Sequence, residues 1–97
     1  MAVKLVHLKG EMAVPADDWA SVLAALPTRI LNSRNESGCL VFNAVPVADS
    51  LLLQVAETFT DQTAFDVHQA RVRDSSWAKI TARCQRHYQV SYVDEIP

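Results

Sequence analysis

Glycine is scarce in this chain. Only Gly10 and Gly38 occur among its 97 residues, so no glycine-rich loop is available to cradle a nucleotide phosphate. Cysteine is equally rare. Cys39 and Cys84 stand far apart, with no His or Cys partner at metal-ligand spacing, so neither a zinc site nor a disulfide framework is expected and both are read as free thiols. An excess of positive charge is missing too. Nine Lys and Arg are scattered against eleven Asp and Glu, for a net charge of −2, which leaves no basic patch for nucleic acid or an anionic membrane. The apolar runs fall far short of the roughly 20 residues that a membrane-spanning helix needs. No Ser-His-Asp elbow is visible. The chain starts with one early lysine and then a strand pattern rather than a signal-peptide layout, so a cytoplasmic protein is expected.

What the chain does have is apolar material in regular patterns. Hydrophobic residues make up 49% of it and charged residues 21%, the balance of a globular protein, and the length suits a single domain over 1–97. From Val3 to Val14 the residues alternate and favour a strand, with Gly10 at a bulge or bend. Pro15, Asp17 and Asp18 suit a helix first turn, where a missing amide costs nothing and acids face the positive dipole end. Trp19, Val22, Leu23, Leu26 and Ile30 then form one apolar stripe, and Pro27 is expected to kink that helix or split it. Gly38 marks the turn out of it. Cys39–Val45 and Leu51–Phe59 read as strands, joined through Pro46, Asp49 and Ser50. Thr60 or Asp61 can cap a second helix with Ala64, Phe65, His68 and Val72 inward. Asp74, Ser75 or Ser76 opens a short third helix, and His87–Val93 alternates as a last strand.

The order β-α-β-β-α-α-β is the ferredoxin-like, α+β plan: a four-stranded antiparallel sheet with helices on one face. One feature does not suit a solitary domain. Leu51, Leu52 and Leu53 run together, as do Leu40, Val41 and Phe42, so both faces of the middle strands look buried, whereas helices cover only one. A second copy placed face to face would cover the other, which predicts a homodimer.

At Ser33-Arg34-x-Glu36-x-Gly38-Cys39-Leu40-x-Phe42, Glu57-x-Phe59-x-Asp61 and Phe65-x-x-His68, the chain resembles the antibiotic biosynthesis monooxygenase superfamily, which includes quinol monooxygenases. The resemblance implies a dimeric α+β barrel with a pocket between sheet and helices in each subunit. It also implies oxidation of a small aromatic quinol or polyphenol by dioxygen without flavin, haem or metal. Other members degrade haem, and structural relatives isomerise lactones or have no assigned activity. Haem-degrading relatives carry an iron-ligating histidine about three turns beyond the position of His68, where this chain has Trp77, Ala78 and Lys79. Haem breakdown is therefore not expected.

His68 is the sharpest candidate for chemistry. A neutral imidazole in an apolar pocket can take a proton from a phenolic hydroxyl, and the resulting anion can pass an electron to dioxygen. The plainer alternative is a structural histidine bonded to a strand carbonyl or to Glu57. Glu57, among apolar residues near a strand end, must be paired or protonated. It can orient His68, or pair with an arginine such as Arg34. Asn43 and His7 can point into the pocket or the dimer interface, since a one-residue register shift reverses them. Asn43 in the pocket would meet a substrate carbonyl. Phe42, Phe59, Phe65 and Trp77 are expected in the core or the pocket wall, Tyr88 and Tyr92 at the sheet or dimer face, and His87 exposed. The rival functions are a non-catalytic dimeric module binding a small ligand, and a lactone or keto-enol isomerase on the same fold.

Overall fold

The computed structural model describes residues 4–94. Its sheet is built from β1 (Lys4–Ala13), β2 (Cys39–Pro46), β3 (Leu52–Phe59) and β4 (Gln85–Asp94), in the spatial order β2-β3-β1-β4. Every neighbouring pair is antiparallel. A short 3₁₀ turn, Ala16–Asp18, leads into helix α1 (Trp19–Arg34), while α2 (Gln62–Arg73) and α3 (Ser76–Ile80) separate β3 from β4. This is the ferredoxin-like arrangement that the element order implies. Val3, where the strand pattern begins, lies outside the described residues.

Side-chain alternation decides which residues meet the helices. Val6, Leu8 and Met12 of β1, Phe42 and Ala44 of β2, and Leu53, Val55, Glu57 and Phe59 of β3 are buried on one face. Strand register aligns them in rows: Phe42 beside Glu57 and Leu8, and Phe59 beside Val6. Helix α1 lays Val22 and Leu26 on this face, and α2 lays Phe65 and His68 on it. Asp61 caps α2 by accepting from the Ala64 amide at 2.8 Å, and Ser75 caps α3.

Two local expectations change. Pro27 does not split α1: the helix runs on from Trp19 to Arg34. Pro27 is exposed, so the ring and the carbonyl it leaves without a donor face water rather than the core. Gly10 is not a bulge, because β1 stays in register with β3 and β4 through it. It is needed for proximity: a Cβ there would overlap the His87 carbonyl oxygen of β4. The bulge lies in β2, between Cys39 and Val41.

The doubly apolar runs also resolve differently. Leu51 precedes β3 and is exposed, whereas Leu53 is fully buried. Leu40 and Val41 sit at the bulge, 55% and 40% exposed. The face away from the helices carries Val41, Asn43 and Val45 beside Gln54 and Thr58, with His7 and Lys9 on β1. In the single chain it is uncovered.

Gly38 ties the two halves of the packing together. Its carbonyl accepts from the Thr60 amide at 2.9 Å, and a Cβ there would overlap the Ala64 Cβ. The first turn of α2 can therefore reach the α1–β2 loop only over a glycine. Gly38→Val is expected to cost about 1–3 kcal/mol by overpacking, while Ser37→Ala at the exposed neighbour stays within about 0.5 kcal/mol. Urea denaturation midpoints of the two variants test this.

Candidate functional site

His68 sits at the centre of the packed face, 1% exposed. Phe42 and Phe59 flank its ring, with centroids 6.0 and 4.8 Å away. Phe65, one helical turn back, packs edge-on against Phe59 at 5.5 Å. The apolar shell that the sequence places around the histidine is present.

Its two ring nitrogens meet different partners. Nδ1 lies 2.6 Å from Glu36 Oε2, on the loop between α1 and β2. Nε2 lies 3.3 Å from Arg29 Nη2, on the buried side of α1, and 3.5 Å from Glu57 Oε1. A guanidinium has only hydrogens to offer, so Nε2 must accept. A carboxylate can only accept, so Nδ1 must carry the proton. The two hydrogen bonds suit one neutral tautomer, with Nδ1–H donating to Glu36 and the Nε2 lone pair facing Arg29; the Glu57 carboxyl at 3.5 Å suits that lone pair in its protonated form. Burial pulls the His68 pKa below its usual 6.5; the Glu36 hydrogen bond opposes that shift and the Arg29 charge adds to it. The ring is thus neutral at pH 7.

Glu36 is itself held. Arg71, three residues beyond His68 on α2, donates from Nε to Glu36 Oε1 at 2.5 Å, and its Nη2 bonds the same oxygen. Arg71, Glu36 and His68 make one chain of charge-assisted hydrogen bonds running from the surface to the core.

Arg29 is held by aromatic faces as much as by polar groups. Its guanidinium carbon lies 4.9 Å from the Phe42 ring centroid and 5.7 Å from that of Trp77, a cation–π sandwich. Burial pulls its pKa down, yet an arginine keeps its charge at neutral pH. Among the described residues it forms no salt bridge with a carboxylate.

Glu57 is 5% exposed, and its Oε1 has no hydrogen-bond partner. Burial pushes its pKa up from 4.5 to about 7, against the pull of Arg29 and with the help of Glu36. Near neutrality this carboxyl is divided between acid and carboxylate. Beside it, a void of about 20 Å³ is bounded by Arg29, Phe42, Glu57, Trp77 and Tyr88, among others. Burial holds the Tyr88 phenol in its protonated form, with a pKa pushed up to about 12. A larger cavity of about 240 Å³ opens on the far side of Arg29 and Trp77, between α1 and the α2–α3 segment.

His68, Glu57, Phe42, Phe59, Phe65 and Trp77 therefore converge on the helix-covered face. Asn43 and His7 do not. Asn43 is exposed on the opposite face, where its Oδ1 accepts from Arg34 at 2.9 Å, and His7 Nδ1 meets the Thr58 hydroxyl at 2.7 Å on that same side. Neither reaches His68. Arg34 is not the partner of Glu57 either: its Nε donates to the Phe42 carbonyl. The residues left without a role by the sequence are Arg29, Glu36 and Arg71, while Tyr88, expected at the sheet or dimer face, borders the void beside Glu57 instead. A signal for Arg29 existed. Val22, Leu26, Arg29 and Ser33 recur at helical spacing, which sets an arginine on a buried stripe. Tyr92 is 53% exposed and His87 exposed. Among the described residues no group of three or more His, Cys, Asp or Glu is placed to hold a metal, and no helix is long and apolar enough to cross a membrane.

The raised Glu57 pKa has a sign that stability measures. Between 4.5 and about 7 the folded state holds a proton that the unfolded chain releases, so this residue's contribution is fully present below 4.5 and is lost as pH rises through 7. Glu57→Gln removes the loss. Relative to wild type the variant is expected to gain stability on the order of 2 kcal/mol between about pH 5 and about pH 8, read from denaturant unfolding at both. A constant difference across that range would contradict the raised pKa.

No protein-family profile matches the chain, and no curated protein matches it by sequence. Solved structures do. A "putative antibiotic biosynthesis monooxygenase" from Nitrosomonas europaea superposes with a TM-score of 0.75 at 14% identity, covering 99% of this chain and 93% of that one. A second structure so described, from Bacteroides thetaiotaomicron, gives 0.71 at 22% identity, covering 98% and 90%. A conserved protein of unknown function from the same organism, described as a possible oxidoreductase, gives 0.67 at 11%, covering 95% and 98%. At these identities the likeness is one of fold: the chain shares the ferredoxin-type α+β architecture of these structures.

Proposed function

We propose that this protein is a cofactor-independent monooxygenase acting on a small aromatic quinol or polyphenol. The observation that carries the reading is the neutral, buried His68, oriented through Nδ1 by Glu36 so that the Nε2 lone pair, met only by a long 3.3 Å contact from Arg29, is the base atom in an aromatic-walled site. A hydroxyl proton of the substrate passes to Nε2. The electron-rich anion gives one electron to dioxygen, and the two radicals recombine at a ring carbon. Loss of water then leaves a hydroxyquinone, so that hydroquinone plus dioxygen becomes hydroxyquinone plus water and the substrate is its own reductant. Desolvation keeps the imidazole neutral and so available as a base at pH 7, and Arg29 beside Nε2 offers a positive charge to the developing anion.

A second reading has its own observation. Glu57, part-protonated near neutrality and 3.5 Å from the base atom, pairs an acid with a base as keto–enol isomerisation requires. Isomerisation exchanges a substrate carbon-bound proton with solvent and consumes no dioxygen.

The homodimer belongs to the proposal as well. Val41, Val45 and Val93 lie on the uncovered sheet face at 40%, 56% and 44% exposure, and Val90 and Tyr92 extend β4 beyond the helices at 44% and 53%. A second copy of the chain is the occupant with matching apolar surface.

Dioxygen uptake with naphthoquinols and catechols, with chelator and without flavin, tests the activity. Wild type is expected to exceed autoxidation, and His68→Ala to lose about 10²–10⁴-fold. Equal rates in both would remove His68 as base, and ligand binding without uptake would favour a binding module. The acid limb of the pH profile should fall below the usual histidine range and move lower in Glu36→Gln, because the Glu36 bond raises the His68 pKa. Light scattering should return the mass of two chains; a monomer at micromolar concentration would defeat the dimer.

A further inference from the structure

We infer that the cavity between α1 and the α2–α3 segment binds a small aromatic carboxylate, with Arg29 taking the carboxylate, Arg71 adding positive charge to the wall, and Trp77 packing against the ring. Three features of the cavity point to that chemistry. Its wall carries Arg29 and Arg71 together with Thr28, Asn32, Ser76 and Trp77, and no Asp or Glu. Two positive charges therefore face it, with neutral hydrogen-bonding groups around them. One of the two has no carboxylate in direct contact, although the Glu57 charge acts on it from nearby. Arg71 spends its charge on Glu36, but Arg29 is half-buried and has no carboxylate at salt-bridge distance among the described residues. Its one hydrogen bond is the long contact of 3.3 Å to His68 Nε2, so most of its five N–H donors are unspent. A desolvated cation in that condition is completed by an anion, and a guanidinium fork matches a carboxylate in bidentate geometry.

The size fits too. The cavity measures about 240 Å³. A cavity of about 150 Å³ already takes benzene, and small-molecule sites begin near about 300 Å³. One or two rings with a carboxylate are what it holds. The indole of Trp77, now shared with the guanidinium of Arg29, supplies the flat apolar wall.

Arg29 and Trp77 also border the void beside Glu57. A carboxylate that draws Arg29 outward takes its guanidinium off Nε2 and opens the larger cavity toward the base. The ligand's charge would then unmask the atom that accepts the ligand's proton. This consequence rests on the reading of His68 as base; the binding itself does not.

Anaerobic titration calorimetry with 1-hydroxy-2-naphthoate and its methyl ester separates the two. The acid is expected to bind wild type tighter than the neutral ester by about ten- to hundredfold, as charge-assisted bonds give. In Arg29→Gln the ratio should collapse toward one with ester affinity retained, and Arg29→Lys should keep part of it. Arg83→Gln, which removes a surface arginine paired with Asp18, should leave the ratio alone. Equal binding of acid and ester by wild type, a ratio that survives in Arg29→Gln, or no binding of either probe at millimolar concentration overturns the inference. Acid selectivity without dioxygen uptake sustains this site and defeats the monooxygenase. Uptake with neutral quinols and no acid selectivity does the reverse.

Discussion

The rest of the site depends on how His68 is held between a carboxylate and a guanidinium. Glu36 can only accept and Arg29 can only donate, so the imidazole is locked as one neutral tautomer. Burial is the main penalty on a charged imidazole here, and Nε2 meets the Arg29 cation at 3.3 Å, closer than the Glu57 carboxyl at 3.5 Å. Glu57 shares that setting. Burial pushes its carboxyl toward the protonated form against the pull of Arg29, and its Oε1 has no hydrogen-bond partner.

The fold supplies the parts from five separate places. Arg29 comes from α1, Glu36 from the loop that follows, Phe42 and Glu57 from adjacent strands in register, and His68 with Arg71 from one face of α2. The loop bearing Glu36 can approach α2 because Gly38 has no side chain to keep it away. Trp77, on α3, closes the sandwich over Arg29. A ferredoxin-like sheet brings such distant segments together by strand pairing, and its helix-covered face is where water is excluded. Polar groups survive there only by answering one another.

Much of this was legible in the residues. Strand and helix order followed from periodicity, and the inward placement of Phe65 and His68 followed from their spacing on α2. What periodicity could not give was partnership. Glu57 on a strand flanked by apolar residues was visibly buried, but its neighbour across space was left to guesswork, and Arg34 is turned to β2 instead. Arg29 lies on a buried stripe, but long side chains usually reach water from such positions, so spacing alone does not place its guanidinium. Glu36 lay in a loop, where no period assigns a direction. The faces of β2 were obscured by the bulge after Cys39, which breaks the alternation that would have sent Asn43 outward. Pro27 looked like a breaker because sequence alone does not say that its ring faces solvent.

The chemistry of the site turns on the protonation state of one ring. Nitrogen-15 NMR of the labelled protein reads it directly, through two-bond couplings from the imidazole carbon-bound protons to both nitrogens, with His68→Gln used to assign the signals. At pH 7, His68 is expected to show a protonated Nδ1 and an unprotonated Nε2. A proton on Nε2, alone or shared with Nδ1 as imidazolium, would contradict the arrangement that makes Nε2 the base.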